Sequence, residues 1–238
     1  MPASLNQPTP LIIPSCSNCI LWMRPDITTS DNMTFSANRL SAIKNLANNR
    51  FLINNGTTAN QPSTGLVTIG GLNALGFDND NNRWLNLGIP ATSTNFTIFV
   101  VVQQAVSASQ GIVFGGGATN QVIRMSSTNL GYSSTDGTTG LSITTGVSVL
   151  TAPAIFAITA NASTSTRNLY KNSATIAVTG AYDGSVTATL FGAATPGTGS
   201  ARGGFNLGET IIYNKALSAA EITTIMQYLA NKSGVILT

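Results

Sequence analysis

The chain has 238 residues, with 11 Lys and Arg, 8 Asp and Glu, no histidine and a formal net charge of +3. Charged residues make up only 8 %, against about 25 % in an ordinary soluble domain, while Asn, Ser and Thr supply 79 positions, so the polar surface is built from amides and hydroxyls. The missing histidine excludes Ser-His-Asp and Cys-His catalysis, imidazole metal sites and a histidine pH switch. The cations, scattered from Arg24 to Lys232, form no basic run of the kind that marks a nucleic-acid binder.

In chain order, residues 1–15 are proline-rich and predict an arm, followed by a single domain over residues 16–238. The N-terminus has no positive region before its apolar residues and holds three prolines by position 10, so no secretory signal is expected. No apolar run approaches 18 residues, which predicts no membrane insertion. Cys16 and Cys19 form one C-S-N-C, half the ligands of a structural zinc site. The motif leads into Ile20-Leu21-Trp22, which reads as a strand rather than the helix a redox motif opens. Two reduced thiols, a local bridge, or a metal clasped between subunits are the readings it leaves.

From Ile20 onward, short apolar runs alternate with Gly, Asn, Asp and Thr, the pattern of strands joined by turns. Strands are predicted over Leu66–Ile69, Ala74–Phe77, Trp84–Leu87, Phe96–Gln103, Gly111–Phe114, Gln121–Met125, Ala154–Ala160, Asn168–Lys171, Thr175–Val178, Thr187–Leu190 and Leu207–Tyr213. Phe96–Val102 (FTIFVVV) is apolar almost throughout, as expected of a strand covered on both faces. Asn55-Gly56, Asp136-Gly137 and Asp183-Gly184 supply turn chemistry. So many strands with no helix between them cannot form a parallel sheet, and the prediction is an all-β, two-sheet antiparallel sandwich. One helix closes the chain. Ser218-Ala-Ala-Glu221 is a capping box, Ile222, Ile225, Met226 and Leu229 form an apolar stripe, and Lys232 followed by Gly234 marks the stop.

The order of motifs is Leu21-Trp22-Met23-Arg24, Asn60-Gln61-Pro62, Gly71–Asp78, Phe96–Val102, then Leu207–Ser218 (LGETIIYNKALS) and Tyr228–Lys232 (YLANK). This succession resembles the laminin-G-like, concanavalin A-like jelly-roll domains of bacteriophage virion proteins and bacterial surface proteins, over roughly residues 20–236. The resemblance implies two curved antiparallel sheets with a glycan or calcium site at the loop rim or concave face. Function does not follow from the fold, which hosts lectins, adhesion modules, glycanases and capsid proteins alike.

Glycosidic hydrolysis needs two carboxyl groups, one protonated and one ionised. The chain has two glutamates; Glu221 belongs to the helix cap, and Glu209 stands in Gly-Glu-Thr with only Thr and Ile beside it, so no enzyme activity is expected. Asp78-Asn-Asp80-Asn-Asn82 places oxygen ligands at alternating positions. An EF-hand needs Gly and Glu further along, where this chain has Arg83 and Ile89. An oxygen-rich turn and a calcium site formed by Asp78, Asp80 and Asn82 are the two readings, with no other cofactor. A sugar wants an aromatic platform ringed by amides and hydroxyls; Trp84 with Arg83 beside it, and Tyr132 in Gly-Tyr-Ser-Ser, are the candidates, whereas Trp22 is expected in the core. The sequence thus predicts a non-enzymatic structural virion protein, made in the host cytoplasm. Residues 1–15 would bind neighbouring virion subunits in a homo-oligomer, with three-fold symmetry the expected form, and surface polysaccharide is a further partner. The alternative is a carbohydrate-binding or adhesion module of a bacterial surface protein.

Overall fold

The computed structural model describes residues 16–53, 58–77, 83–104, 110–115, 122–126, 129–133, 140–144, 152–181, 186–191 and 204–238. The arm over 1–15 and the turns at 55–56, 136–137 and 183–184 lie outside them. The strands are β1 (Cys19–Met23), β2 (Met33–Ser36), β3 (Arg39–Asn45), β4 (Arg50–Ile53), β5 (Ser63–Ile69), β6 (Leu72–Phe77), β7 (Leu85–Ser93), β8 (Phe96–Gln104) and β9 (Gln110–Gly115). They continue as β10 (Val122–Ser126), β11 (Asn129–Ser133), β12 (Gly140–Thr144), β13 (Ala154–Asn161), β14 (Thr166–Lys171), β15 (Val178–Ala181), β16 (Val186–Phe191) and β17 (Phe205–Tyr213), before α1 (Ala219–Ser233).

The larger sheet runs β1-β3-β5-β6-β17-β8-β13-β14-β15, with β2 and β4 also paired to β3; the smaller runs β12-β11-β10-β9-β16-β7. Among the described residues these strands pair antiparallel, from β1 with β17 to β5 with β6. The architecture is an all-β, two-sheet antiparallel jelly-roll sandwich with one C-terminal helix.

The apolar run of β8 finds two different destinations. Phe96, Ile98, Val100 and Val102 face the sandwich interior with Phe156, Ile158 and, from the smaller sheet, Leu85 and Phe191. Phe99 and Val101 face the other way, with Ile155 and Ala157, against Ile222, Ile225, Met226 and Leu229 of α1. A period of two on a strand divides the residues between faces, and here the helix makes the second face apolar as well. Each of those four helix side chains is at most 1 % exposed, worth about 1.5–3 kcal/mol apiece relative to solvent exposure.

Both ends of α1 follow the sequence. Ser218 accepts from the Glu221 amide, Glu221 reaches back to the Ser218 amide, and Gly234 closes the helix in the left-handed region at φ 72° with its N–H on the Ala230 carbonyl. Thr97 fixes the approach to the helix: its Oγ1 donates to the Lys215 carbonyl at 2.9 Å and accepts from the Leu217 N–H at 3.0 Å.

Two differences from the sequence reading have local causes. The strand expected over Thr175–Val178 begins only at Val178, because Asn172 takes a positive φ of 49° and the chain bends before rejoining β14. Strands β2, β3, β11 and β12 carry too few consecutive apolar residues to stand out, as in Arg39–Asn45 (RLSAIKN), and β4 is only four residues long. At the chain's start, the Cys19 thiol is buried and its Sγ donates to the Leu21 carbonyl at 3.3 Å.

Candidate functional site

Strand β17 has a fork along one edge. Phe205–Leu207 pair with β6, whereas Thr210–Tyr213 pair with β1, and the register against β8 shifts between Leu207 and Thr210. Gly208 and Glu209 occupy that irregularity. Gly208 lies so close to β8 that a Cβ on it would meet Val101 Cβ at 3.2 Å. Bulges re-aim side chains, and this one carries Glu209 beneath α1, where the residue is 5 % exposed.

Glu209 is met by donors from three directions. Trp22 Nε1–H, from β1, donates to Oε1 at 2.6 Å. The Tyr228 hydroxyl, from α1, donates to Oε1 at 2.9 Å and approaches Oε2 at 3.2 Å. Lys232, one helical turn further on, donates to Oε2 and also to Asp26 Oδ1, the latter at 2.9 Å. Asp26 in turn pairs with Arg24 at 2.8 Å. One ammonium therefore serves two carboxylates, and the network ties β1, the turn after it, β17 and α1 together. A burial cost this large is offset only when every member is hydrogen-bonded, and both Glu209 oxygens are.

The electrostatics follow from burial and neighbours. Burial alone would raise the Asp26 carboxyl, but hydrogen bonds and charge from Arg24 and Lys232 hold it below the ordinary carboxylate range. Burial also works against the Arg24 charge, yet Asp26 more than compensates and raises its pKa. The Tyr228 phenol is pushed well above its usual value, first by burial and then by the Glu209 charge. Tyr228 consequently stays a donor across the physiological range. Beside the network lies a cavity of about 20 Å³ whose polar wall is Asp26, Asn73, Glu209, Lys232 and Ser233, room for about one water.

Chemically this arrangement is a lock. A glycosidic general acid has to hold a proton near neutrality, and Asp26 is driven the other way. Glu209 has its acceptor positions taken by Trp22, Tyr228 and Lys232. Among the described residues no three metal-ligating side chains come together.

The sequence candidates lie elsewhere. Trp84 is 8 % exposed and Arg83 7 %, and the Trp84 backbone N–H donates to the Asn60 carbonyl at 3.1 Å. Both side chains are buried rather than exposed as the sequence reading expected. Tyr132 sits on β11, opposite Ile123 and Leu141; its side chain, like Asp78, Asp80 and Asn82, is outside the described residues. Trp22 is only half-buried, its ring packed against the helix-side core and its indole N–H on Glu209. Sequence reasoning left Glu209 without charged company. The available signal was Tyr228 and Lys232, four apart on α1 and so on one helix face.

No protein-family model matches the chain, and no curated protein matches it in sequence. Solved structures share its fold. The binding domain of Paraclostridial Mosquitocidal Protein 1 superposes with a TM-score of 0.62 at 14 % identity, over 91 % of this chain and 53 % of that one. The botulinum neurotoxin type G receptor binding domain gives 0.55 at 12 %, over 90 % and 52 %. The CBM40 of a Ruminococcus gnavus IT-sialidase, bound to α2,3 sialyllactose, gives 0.50 at 15 %, over 68 % and 96 %. The chain spans about half the length of the first two, and at these identities the likeness is one of fold.

Proposed function

We propose that this chain is a non-catalytic binding module that recognises saccharide-bearing surfaces. The observation that supports it is the fold shared over most of the chain with domains whose names record binding, receptor binding or a bound sugar. Two physical features agree with that reading. The surface is rich in amides and hydroxyls rather than charges, and the carboxylates of the Glu209 network are occupied holding the fold together. The neighbours favour this module over the virion role expected from the sequence; a virion role would be tested separately, by mass spectrometry of particles that contain the chain.

The test is a saccharide array probed with the purified full chain, paired with a reducing-end assay on every saccharide it retains. Binding in the micromolar to millimolar range with no new reducing ends is the expected result. An array with no binder removes the module reading, and cleavage that disappears in Glu209→Gln removes its non-catalytic part.

A further inference from the structure

Arg24 joins the Glu209 network through Asp26: its Nη2 donates to Oδ2 at 2.8 Å and its Nε approaches Oδ1 at 3.4 Å. The network's other cation, Lys232, lies between Asp26 Oδ1, at 2.9 Å, and Glu209 Oε2. Two cations thus face two carboxylates. The side chains of Glu209, Asp26 and Lys232 are 4, 12 and 17 % exposed, against 27 % for Arg24. A charge left without a counter-ion among those three would be poorly hydrated.

An ammonium and a carboxylate form an ion pair, whereas a neutral amine beside a carboxylic acid is a nucleophile beside an electrophile. Only protons separate the two states. Without Arg24, one ammonium would face two carboxylates, and carboxylates sharing one site do not both stay ionised, so one takes up a proton. Glu209 would keep Trp22, Tyr228 and Lys232 as donors. Asp26 would lose the hydrogen bond that most opposes the effect of its burial. The proton therefore falls on Asp26, the carboxyl group that Lys232 already touches.

We infer that Lys232, Asp26 and Glu209 are a latent amide-forming centre, with Lys232 Nζ as nucleophile, Asp26 Cγ as electrophile and Glu209 as proton carrier, held in check by the Arg24–Asp26 ion pair. Attack needs amine and carbon about 3–3.5 Å apart, which a rotation of the lysine end away from Oδ1 supplies. Glu209 takes one ammonium proton, and the freed amine forms the Nζ–Cγ bond, pushing the carbonyl pair onto Oδ2. The Cγ–Oδ1 bond then breaks. Oδ1 leaves as water, carrying the carboxyl's own proton and the one that Glu209 returns. The carbonyl re-forms and the surplus amine proton passes to Glu209, so nothing is oxidised or reduced and only water is released. The bond would join residues 206 apart in sequence, fastening the turn after β1 to the last turn of α1. It is independent of the binding reading above.

The experiment compares the full chain with Arg24→Met and Arg24→Gln, each incubated at neutral pH and then read by intact mass spectrometry and peptide mapping. A thermal melt of each variant confirms that the reacting chain is folded. Both variants should become lighter by the mass of one water, with the Asp26 peptide joined to the Lys232 peptide, while the parent chain keeps its full mass. Adding Lys232→Met should stop the loss. Adding Glu209→Gln should slow it by at least about a hundredfold, the lower end of what a positioned acid–base group contributes. Folded Arg24 variants that keep their full mass overturn the inference. So does a parent chain that is already lighter, because Arg24 then restrains nothing. Water loss that persists with Lys232→Met is ring closure of Asp26 on its own backbone, and it overturns the inference as well.

Discussion

The Trp22 indole N–H meets Glu209 Oε1 at 2.6 Å across 187 residues of sequence, joining the strand that opens the described domain to the one that completes its larger sheet. Around that bond the chain gathers Asp26, Tyr228 and Lys232, and the consequences of disturbing it can be measured.

Replacing Lys232 by Met removes the ammonium that serves both Asp26 and Glu209. Breaking a buried pair from one side leaves uncompensated charge and costs about 3–5 kcal/mol. Urea unfolding of Lys232→Met should show that loss. A double-mutant cycle with Glu209→Gln should return a coupling of about 1–3 kcal/mol; additive losses would show that the two residues act separately.

Acid should loosen the same network in a defined window. The folded-state pKa of Asp26 is depressed, so its contribution is fully present above the unfolded carboxylate value near about 4 and is lost as pH falls through the lower folded value. Stability measured from pH 6 to 2 should fall more steeply in the parent chain than in Asp26→Asn. At neutral pH the variant should already be weaker by about 1–3 kcal/mol, with the two curves converging in acid.

The hairpin between β5 and β6 offers a comparison of adjacent glycines. Both have positive φ, 58° at Gly70 and 79° at Gly71. A Cβ on Gly70 would collide with the Ser233 backbone carbonyl at the end of α1, whereas one on Gly71 would meet nothing within 4 Å. Gly71→Ala should therefore cost only the left-handed strain, about 1–2 kcal/mol. Gly70→Ala should cost clearly more, about 2–4 kcal/mol, because backbone must also move. Equal melting temperatures for the two variants would contradict the close approach.

At the other end of the helix, Ser218→Ala removes the side chain that accepts from the Glu221 amide and should cost about 1 kcal/mol. Lys215 bonds Glu221 at 2.8 Å on the exposed surface, so Lys215→Ala should cost under about 0.5 kcal/mol. Thermal melts of both resolve the difference.

What could be read from the sequence was what is encoded locally. Phe96–Gln103 announced a strand with two apolar faces because every position along it is committed, and β8 is that strand. Ser218, Glu221 and Gly234 marked the helix ends because capping is settled within a turn. The Glu209 network was hidden because its donors come from Trp22, Tyr228 and Lys232, none adjacent to it in sequence. Trp84 next to Arg83 resembled an exposed platform, yet both are buried and the Trp84 backbone N–H pairs with the Asn60 carbonyl, 24 residues away in sequence, and no local pattern reports such a bond.

The place of β17 constrains the order of assembly. It lies between β6 and β8 and is hydrogen-bonded to both, yet it is the last strand of the described chain to be synthesised. On the ribosome, every earlier strand of that sheet emerges before the one that belongs at its centre. A nascent polypeptide halted ahead of Phe205 leaves β6 and β8 with exposed, unfilled edges, the state in which strands recruit wrong partners. Stable structure is thus deferred until Phe205–Tyr213 has been translated, and the interval before that is when the polypeptide most needs chaperone protection.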